Sequence, residues 1–494
     1  MKKFFSFLVI SVLTLSSVIG QQGLTLEDAM KIAEENSPTL KRSRFALMRS
    51  QENLNAQRAA LKSNFSLSIN PFEYSNNREF LDFVSEWNTQ QVVRSYGSFT
   101  VSQPIVATDA QLSLTNRLTW QDSYSEYNDT RTKGFNNNLY LSFSQPIFTY
   151  NRTKLQIKEL ELALENSKIN YSIQKLSMER QVAQYFYNVY QKQQSLQIAE
   201  EAYANMQKSY SIIKNKVDAG LSAREELFQA ELNLATSRSD YENSGVDLEN
   251  AKDDFKLLIG KSLYDDVIVL PDISVDTVNV DVAFAIDHGL ASRMELRQRK
   301  IDIENSQFDL IQTKSLNEFK GQVDLSVGLF GDNSKFTSLY ESPTNNQAVS
   351  LALSVPLWDW GERESRIKAA EISVQTQELG YEEEENDIII NIRKVYRNLA
   401  NLKNQIEIAK QNEKNAQLTY ELNLEKYENG DLTGMDLNIY QNQLSEKKLA
   451  VTNSLIYYKL ELLNLKIQTL YDFETGTPVA PISQIDSNQI NTPK

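Results

Sequence analysis

The sequence predicts a mainly α-helical protein with β-strands, built from one structural unit in two copies. Three observations lead to this prediction. The chain contains two very long segments without an internal proline, stretches of alternating polarity precede each of them, and its two halves are similar to each other. The 494 residues include only 16 glycines and 10 prolines, which permits long uninterrupted helices.

The composition excludes several classes of function. With no cysteine and a single histidine, the chain lacks the residues for disulfides, thiolate metal sites and Cys or His catalytic pairs. We predict no enzyme activity, no catalytic residue, no metal site and no cofactor. An envelope hydrolase that uses carboxylates is the enzymatic alternative, but no paired carboxylate motif supports it. The net charge of −14 argues against a nucleic-acid partner, which a basic patch would attract. An apolar fraction of 41%, below the ~45–50% of an ordinary globular domain, predicts much water-exposed surface.

The amino terminus has the pattern of a secretory signal peptide. Two lysines are followed by the apolar run 4–19 and by Gly20. We predict that residues 1–20 are removed on export. An uncleaved anchor is the alternative, but the run is shorter than the ~20 residues that span a bilayer. Without cysteine, no lipid can be attached there, so membrane attachment must come from the folded chain.

The two halves of the chain align without a gap at a spacing of 210 residues. The matched pairs include Ser144 with Ser354, Pro146 with Pro356, Gly220 with Gly430, Leu227 with Leu437, and Leu234 with Leu444. Nearer the amino terminus the spacing is 256, which pairs Ala29 with Ala285 and Leu40 with Leu296. The first half therefore carries about 46 extra residues before Pro146.

Each half begins with helices and continues with strands. The pattern predicts helices over 26–36 and 38–62, with Ser37 capping the second and Pro38 at its first position, and a helix over 293–319 in the second half. Alternating apolar residues predict strands around 65–69, 139–143, 323–329 and 349–355. Such strands suit either a soluble sheet packed on a core or a membrane barrel with a wet lumen.

The extra residues of the first half leave three possibilities open. Residues 99–105 echo residues 141–147, and 110–121 is another possible strand. The insertion would lengthen the strands, add an outer hairpin or enlarge a barrel.

The segments 152–218 and 362–428 are predicted to be single helices of about 100 Å. Apolar or aromatic residues recur every seven positions, which favours left-handed supercoiling. These residues are Val182, Val189, Leu196, Tyr203, Tyr210 and Val217 in the first copy, and Ile392, Leu399, Ile406, Tyr420 and Tyr427 in the second.

Each long helix is predicted to end at a glycine and to be followed by a returning helix. Gly220 and Gly430 suit a left-handed helix end. The returning helices, 222–259 and 433–470, begin with the capping-box patterns Ser222 to Glu225 and Thr433 to Asp436. The predicted organisation is a signal peptide (1–20), a first repeat (21–260), a linker (261–282), a second repeat (283–471) and a disordered tail (472–494).

This order of strand pair and long helices, present twice in an exported chain, resembles the TolC family of outer-membrane efflux channels. The most specific pieces are residues 144–148 (SQPIF), residues 354–361 (SVPLWDWG) and the two glycine turns. The resemblance implies a homotrimer whose strands, about four from each protomer, close a twelve-stranded transmembrane barrel. The helices would continue it as a periplasmic α-barrel of coiled-coil hairpins.

The resemblance also implies the function and the partners. The protein would be the passive exit duct for efflux or secretion, inserted among outer-membrane lipid. A periplasmic adaptor would connect it to an inner-membrane RND or ABC transporter that supplies the energy. The alternative is a periplasmic coiled-coil scaffold or adhesin without a pore.

The family's functional residues fall at the two turns. The tips that contact the adaptor would be Ala219, Gly220, Leu221 and Ser222 in the first repeat, and Asn429, Gly430, Asp431, Leu432 and Thr433 in the second. The gate would comprise Asp436, Glu226, Tyr427 and Arg224. The sequence departs from the family where a second aperture acid would be Ile439 and a gate arginine Leu432, so Arg224 is the substitute candidate.

The two acids of this gate have a second interpretation that needs no pore. Asp436 and Glu226 lie in the first turns of their helices, where carboxylates serve in helix capping and complement the helix dipole. In a trimer, by contrast, three copies of Asp436 in a narrow ring would favour cations.

Overall fold

The computed structural model describes residues 23–274 and 278–479. The predicted signal peptide and residues 480–494 of the predicted tail lie outside these residues. The elements of the first half are α1 (Leu26–Asn36), α2 (Pro38–Ala60), β1 (Asn64–Leu81), β2 (Glu86–Ile105), β3 (Ala110–Ser125), β4 (Thr130–Ile147), α3 (Arg152–Asp218) and α4 (Arg224–Ile259). The second half adds α5 (Val282–Ser292), α6 (Met294–Lys314), β5 (Lys320–Asn333), a 3-10 turn (Phe336–Ser338), β6 (Thr344–Ser354), α7 (Glu362–Asn429), α8 (Gly434–Thr469), β7 (Tyr471–Asp472) and β8 (Thr477–Pro478).

Six strands form one antiparallel sheet in the order β1-β2-β3-β4-β5-β6. The resemblance implied about four strands, and the difference is the hairpin of β1 and β2. The extra residues of the first half lie within the stretch from β1 to β4, since residues 99–105 are in β2 and residues 110–121 are in β3. Alternation in β1 is interrupted by a register shift between Asn70 and Glu73, so its full length was not visible as one period-two pattern.

Helix α3 (Arg152–Asp218) has the predicted bounds, and α7 (Glu362–Asn429) ends one residue later than predicted. In α7 every heptad position from Ile392 to Tyr427 is buried except the interruption at Glu413. In α3 the first two heptad residues, Val182 and Val189, are fully buried and the later ones partly buried. No helix in the described part of the chain is long and apolar enough to cross a membrane.

The structure corrects predictions at the ends of α2 and α6. Helix α2 begins at Pro38 as predicted, but the hydroxyl of Ser37 is buried without a hydrogen-bond partner and does not cap it. Helix α6 ends at Lys314, five residues earlier than predicted, because β5 begins at Lys320.

The chain divides into two compact units that do not coincide with the two sequence repeats. Among the described residues, one unit comprises 23–43, 172–274, 278–293 and 388–479, and the other comprises 44–171 and 294–387. Each unit therefore takes segments from both repeats. In the first unit, the largest core joins α1, α3 and α4 around Ala29, Phe186 and Phe255, and Ile456 of α8 is also part of it.

The segments flanking the second repeat belong to the first unit. Leu24 forms a parallel bridge with Val269 of the predicted linker. At the other end β7 pairs with β8, and Phe473 packs against a core of α7 and α8. Disorder therefore does not begin at Asp472, since residues 472–479 are ordered by this hairpin.

Candidate functional site

The two predicted glycine turns have the same backbone geometry. Gly220 and Gly430 adopt the left-handed conformation with φ of 76° and 92°. The residue after each glycine closes the turn in the same way. The amide of Leu221 donates to the Lys216 carbonyl at 2.7 Å, and the amide of Asp431 donates to the Lys426 carbonyl at 2.9 Å. These bonds satisfy the last carbonyls of α3 and α7, which confirms the predicted left-handed helix ends.

The two returning helices begin in different ways. In α8 the hydroxyl of Thr433 accepts the amide of Asp436 at 3.2 Å and donates to its carboxylate at 2.7 Å. Thr433 is therefore the predicted N-cap. Helix α4 begins at Arg224 with Ala223 at the N-cap position and no side-chain cap. The predicted capping by Ser222 is wrong, because its hydroxyl instead donates to the Glu226 carboxylate at 3.2 Å.

Tyr427 is the most buried of the predicted gate residues, with 1% of its surface exposed. Its hydroxyl donates to the carbonyl of Ser209 on α3 at 3.1 Å and accepts the Ser209 hydroxyl at 2.9 Å. The pair joins the last turns of the two long helices. Burial, followed by the nearby Glu226 carboxylate, raises the pKa of Tyr427 above its usual value, so the hydroxyl stays protonated at neutral pH.

An apolar cluster surrounds this hydrogen-bonded pair. It consists of Ile213, Tyr420, Tyr427, Leu437 and Leu444, with the predicted tip residue Leu432 packed at its margin. Because Ile213 lies on α3 and the other residues lie on α7 and α8, the cluster fastens the second helical hairpin to the first.

Two lysines of α3 complete the contact, and neither was predicted. The Lys216 ammonium donates to the Tyr427 carbonyl at 3.0 Å and lies 5.5 Å from the centre of its ring. Lys208 forms an ion pair with Glu428 at 2.8 Å. The internal duplication contains one indication that Lys216 matters at the turn. Lys216 aligns with Lys426, and each lysine lies four positions before the turn glycine of its repeat.

The remaining predicted gate residues lie near the surface. Asp436 is half-buried, whereas Glu226 and Arg224 are exposed. The structure brings Glu226 close enough to Tyr427 to affect its pKa. Within the described residues Arg224 forms no ion pair.

The turn residues themselves are mostly exposed. Ala219, Gly220, Leu221, Asn429, Gly430, Asp431 and Thr433 are exposed, and Ser222 and Leu432 are partly buried. Over the described ranges, no group of three or more His, Cys, Asp or Glu side chains is arranged to hold a metal ion. His288 of α5 is partly buried against the end of α8, and its Nδ1 lies 2.8 Å from the Thr469 carbonyl.

Comparison with known proteins identifies related sequences. The model of the family described as outer membrane efflux protein matches residues 109–261 and 318–455. The cation efflux system protein CusC of Escherichia coli K12 is 25% identical over 264 residues, which are 52% of this chain and 55% of CusC. CusC of Escherichia coli O157:H7 is 26% identical over 209 residues, covering 41% and 44%. The chain thus spans about half the length of the curated relatives it matches.

Solved structures share the fold over most of the chain. A CusC crystal structure superposes with a TM-score of 0.68 at 15% identity, covering 91% of this chain and 92% of CusC. The Campylobacter jejuni outer membrane channel CmeC gives 0.66 at 15% identity, covering 92% and 86%. The outer-membrane channel OprN gives 0.68 at 12% identity, covering 90% and 89%. At these identities, the likeness establishes the fold.

Proposed function

Because the chain belongs to the outer membrane efflux protein family, we propose that it is one subunit of an outer-membrane channel, the passive exit duct for exported solutes. An inner-membrane transporter of the RND or ABC class supplies the energy through a periplasmic adaptor. The duct itself carries out no chemical reaction.

The observation that carries this proposal is the sheet. Its two edge strands, β1 and β6, each pair with a single neighbour. Both edge strands expose large apolar side chains, including Phe65, Leu67, Val349 and Leu351. In lipid an open sheet edge leaves unpaired backbone amides and carbonyls that cost several kcal/mol each, so a spanning sheet must close on itself. Copies of the same chain provide that closure, and the family resemblance sets their number at three.

The helices support the same assembly. Each long helix buries a narrow heptad stripe and exposes apolar positions elsewhere, such as Ile372, Leu379 and Ile408 of α7. A helix in the wall of a tube has water on its inner and outer sides and buries only the seams with its neighbours. In a trimer, helices of the neighbouring subunits would cover these exposed apolar positions.

The glycine turns are proposed as the periplasmic tips. Leu221 and Met435 are large apolar residues exposed at the two tips. Isolated exposed apolar side chains beside a turn suit contact with an adaptor protein. The Tyr427 to Ser209 contact is proposed to keep the tips closed, and Asp436 and Glu226 are proposed to face the aperture.

A coiled-coil scaffold or adhesin without a pore is the competing function. A scaffold in water does not require a sheet whose apolar face is exposed on several strands. Such a surface would promote aggregation. The sheet therefore favours the channel.

Conductance tests the proposal directly. We expect the chain to be recovered from outer membranes as a heat-modifiable trimer, and the unheated trimer to produce discrete conductance steps in planar bilayers. The same preparation after heat denaturation is the control. A folded, membrane-bound trimer without conductance would favour the scaffold, and a soluble folded monomer would contradict the outer-membrane assignment.

A further inference from the structure

We infer that the hairpin of β1 and β2 is part of the barrel wall, so that three copies of six strands close an eighteen-stranded barrel. In this barrel β1 of one copy pairs with β6 of the next. The inference rests on the proposed function and goes beyond the twelve strands that the family resemblance implies. Four observations support it.

The first observation is continuous hydrogen bonding. The β2–β3 register runs without interruption from the pair Gln90–Ser125 to the pair Ile105–Ala110. The β1–β2 register likewise extends from Asn64–Ser102 to Leu81–Glu86, with one shift. A twelve-stranded wall would need β3 as its edge, and all β2–β3 pairs would have to break.

The second observation is that both faces of the sheet continue across the added strands. One row of directly opposed residues is apolar over five strands: Phe65, Val101, Leu114, Leu141 and Val327. The adjacent row, on the other face, is polar: Asn64, Ser102, Ser113, Ser142 and Ser326. A hairpin outside the wall would not need to match the lipid-facing and lumen-facing rows of β3 to β5.

The third observation is a repeated structure where two strands meet the helices. In β4 the Gln145 side-chain amide donates to the Pro146 carbonyl at 2.7 Å and to the Thr108 carbonyl, in the turn between β2 and β3, at 2.8 Å. In β2 the Gln103 amide donates to the Pro104 carbonyl at 2.8 Å and to the Leu61 carbonyl at 3.0 Å. The two hairpins are thus anchored in the same way at the same end of the sheet, as expected for two copies of one wall element.

The fourth observation is that the turn between β2 and β3 caps a long helix. The Asp109 carboxylate accepts the Thr153 amide at 3.1 Å, in the first turn of α3. The Asn151 side-chain amide donates to the Val106 carbonyl at 2.6 Å. The turn that ends the added hairpin therefore satisfies one amide that the helix itself leaves unpaired. It is built into the junction between sheet and helix.

Strand direction determines how copies join. Strand β1 leaves the helices and β6 returns to them, so β1 of one copy and β6 of the next run antiparallel, as every other pair in the sheet does. Since barrel diameter grows roughly in proportion to strand number, the wall is about 1.5 times as wide as one with twelve strands. The outer barrel then limits cargo size less than the helical gate does.

Cysteine cross-linking tests the seam, because the sequence contains no native cysteine. We expect Ser66→Cys or Ser68→Cys on β1 to cross-link between subunits with Ala348→Cys, Ser350→Cys or Ala352→Cys on β6. Matched controls place the first cysteine on β3, as Ser113→Cys. In an eighteen-stranded wall β3 lies two strands, about 10 Å, further from the neighbouring β6 and should not cross-link.

Cryo-electron microscopy of the conducting trimer in lipid nanodiscs supplies the second measurement. Eighteen strands, together with β1–β6 cross-links, support the inference. Twelve strands with residues 64–105 outside the wall, together with β3–β6 cross-links and intact conductance, would overturn it and leave the duct function standing. A chain that forms neither a closed wall nor conductance steps would instead overturn the proposed function, and this inference with it.

Discussion

At the residue scale, the contact between Tyr427 and Ser209 joins positions 218 residues apart. Both partners are buried, and two hydrogen bonds connect them. We expect opening of the tips to separate α7 from α3 and to break this contact. Tyr427→Phe keeps the packing of the ring but leaves the Ser209 hydroxyl and carbonyl without their partner, at a cost of about 1–2 kcal/mol to the closed state. Single-channel recording should then show an open-to-closed ratio about five- to thirty-fold higher.

Tyr420→Phe is the matched control for this prediction. Tyr420 lies in the same apolar cluster, one heptad earlier, and burial raises its pKa to about 12. In the described part of the chain its hydroxyl has no hydrogen-bond partner that the substitution would remove. An equal rise in opening for both variants would show that the tyrosine ring, and not the bond to Ser209, determines closure.

The second residue-scale prediction concerns Asp436. Its carboxylate accepts the Thr433 hydroxyl and is half-buried, while its amide completes the cap of α8. Asp436→Asn retains the amide and therefore the cap, but removes a negative charge that three subunits would present to the aperture. Divalent cations should then block the conductance less strongly.

The exposed acid Asp431, on the turn itself, provides the charge-matched control for Asp436. Asp431→Asn should leave the block almost unchanged, because the block depends on charges that face the ion pathway and not on the net charge of the tip. Equal block in the wild type and in Asp436→Asn, measured over a range of Mg²⁺ concentrations, would contradict an aperture position for Asp436.

At the element scale, the turn after α7 depends on the left-handed conformation of Gly430. Gly430→Ala creates no close contact, since the nearest atom to a new Cβ is the Lys216 Nζ at 3.8 Å, but φ of 92° strains any residue that has a Cβ. The cost is about 1–2 kcal/mol. Hydrogen exchange at the Asp431 amide, which donates to Lys426, should accelerate about five- to thirty-fold.

Gly434→Ala is the control, four residues further along. Gly434 is the first residue of α8, and a Cβ there would make ordinary contact with the Tyr427 ring at 3.7 Å. Alanine favours the helix relative to glycine, so protection at this turn should hold or increase. Similar loss of protection in both variants would mean that added bulk, and not the backbone angle, disturbs the turn.

The elements also explain how much of the structure was predictable from the sequence. Helices α3 and α7 and their glycine ends were predicted almost to the residue, because heptad spacing and helix termination are local properties. The sequence predicts a strand at 65–69 but leaves the extra residues, which include 99–105 of β2 and 110–121 of β3, among three alternatives, since strand pairing depends on partners far along the chain. The Ser209 partner of Tyr427 was missed for the same reason, and the predicted cap at Ser222 failed because Glu226 binds its hydroxyl instead.

At the scale of the whole molecule, two of the hydrophobic cores contain residues of both repeats. Each compact unit contains segments of both repeats. The main core of the first unit includes Ile456 of the second repeat, and the sheet crosses between the repeats where β4 pairs with β5. A duplicated sequence therefore does not mean two independent domains here. Each half alone would expose the surfaces that the other covers.

Interruption of the chain between the repeats tests this interdependence. Tyr264, in the linker, is fully exposed, so a break before it removes little packing. Two halves divided at this point and exported together with the same leader should assemble into heat-modifiable, conducting trimers. Either half exported alone should be degraded, because the first half lacks Ile456 of its main core and the second half lacks Ile213 of the cluster around Tyr427. A break at the exposed Glu201 within α3 is the control, and it should abolish assembly because it interrupts a helix that contributes to both units. If the first half alone accumulated as a folded, protease-resistant monomer, the repeats would be independent domains after all.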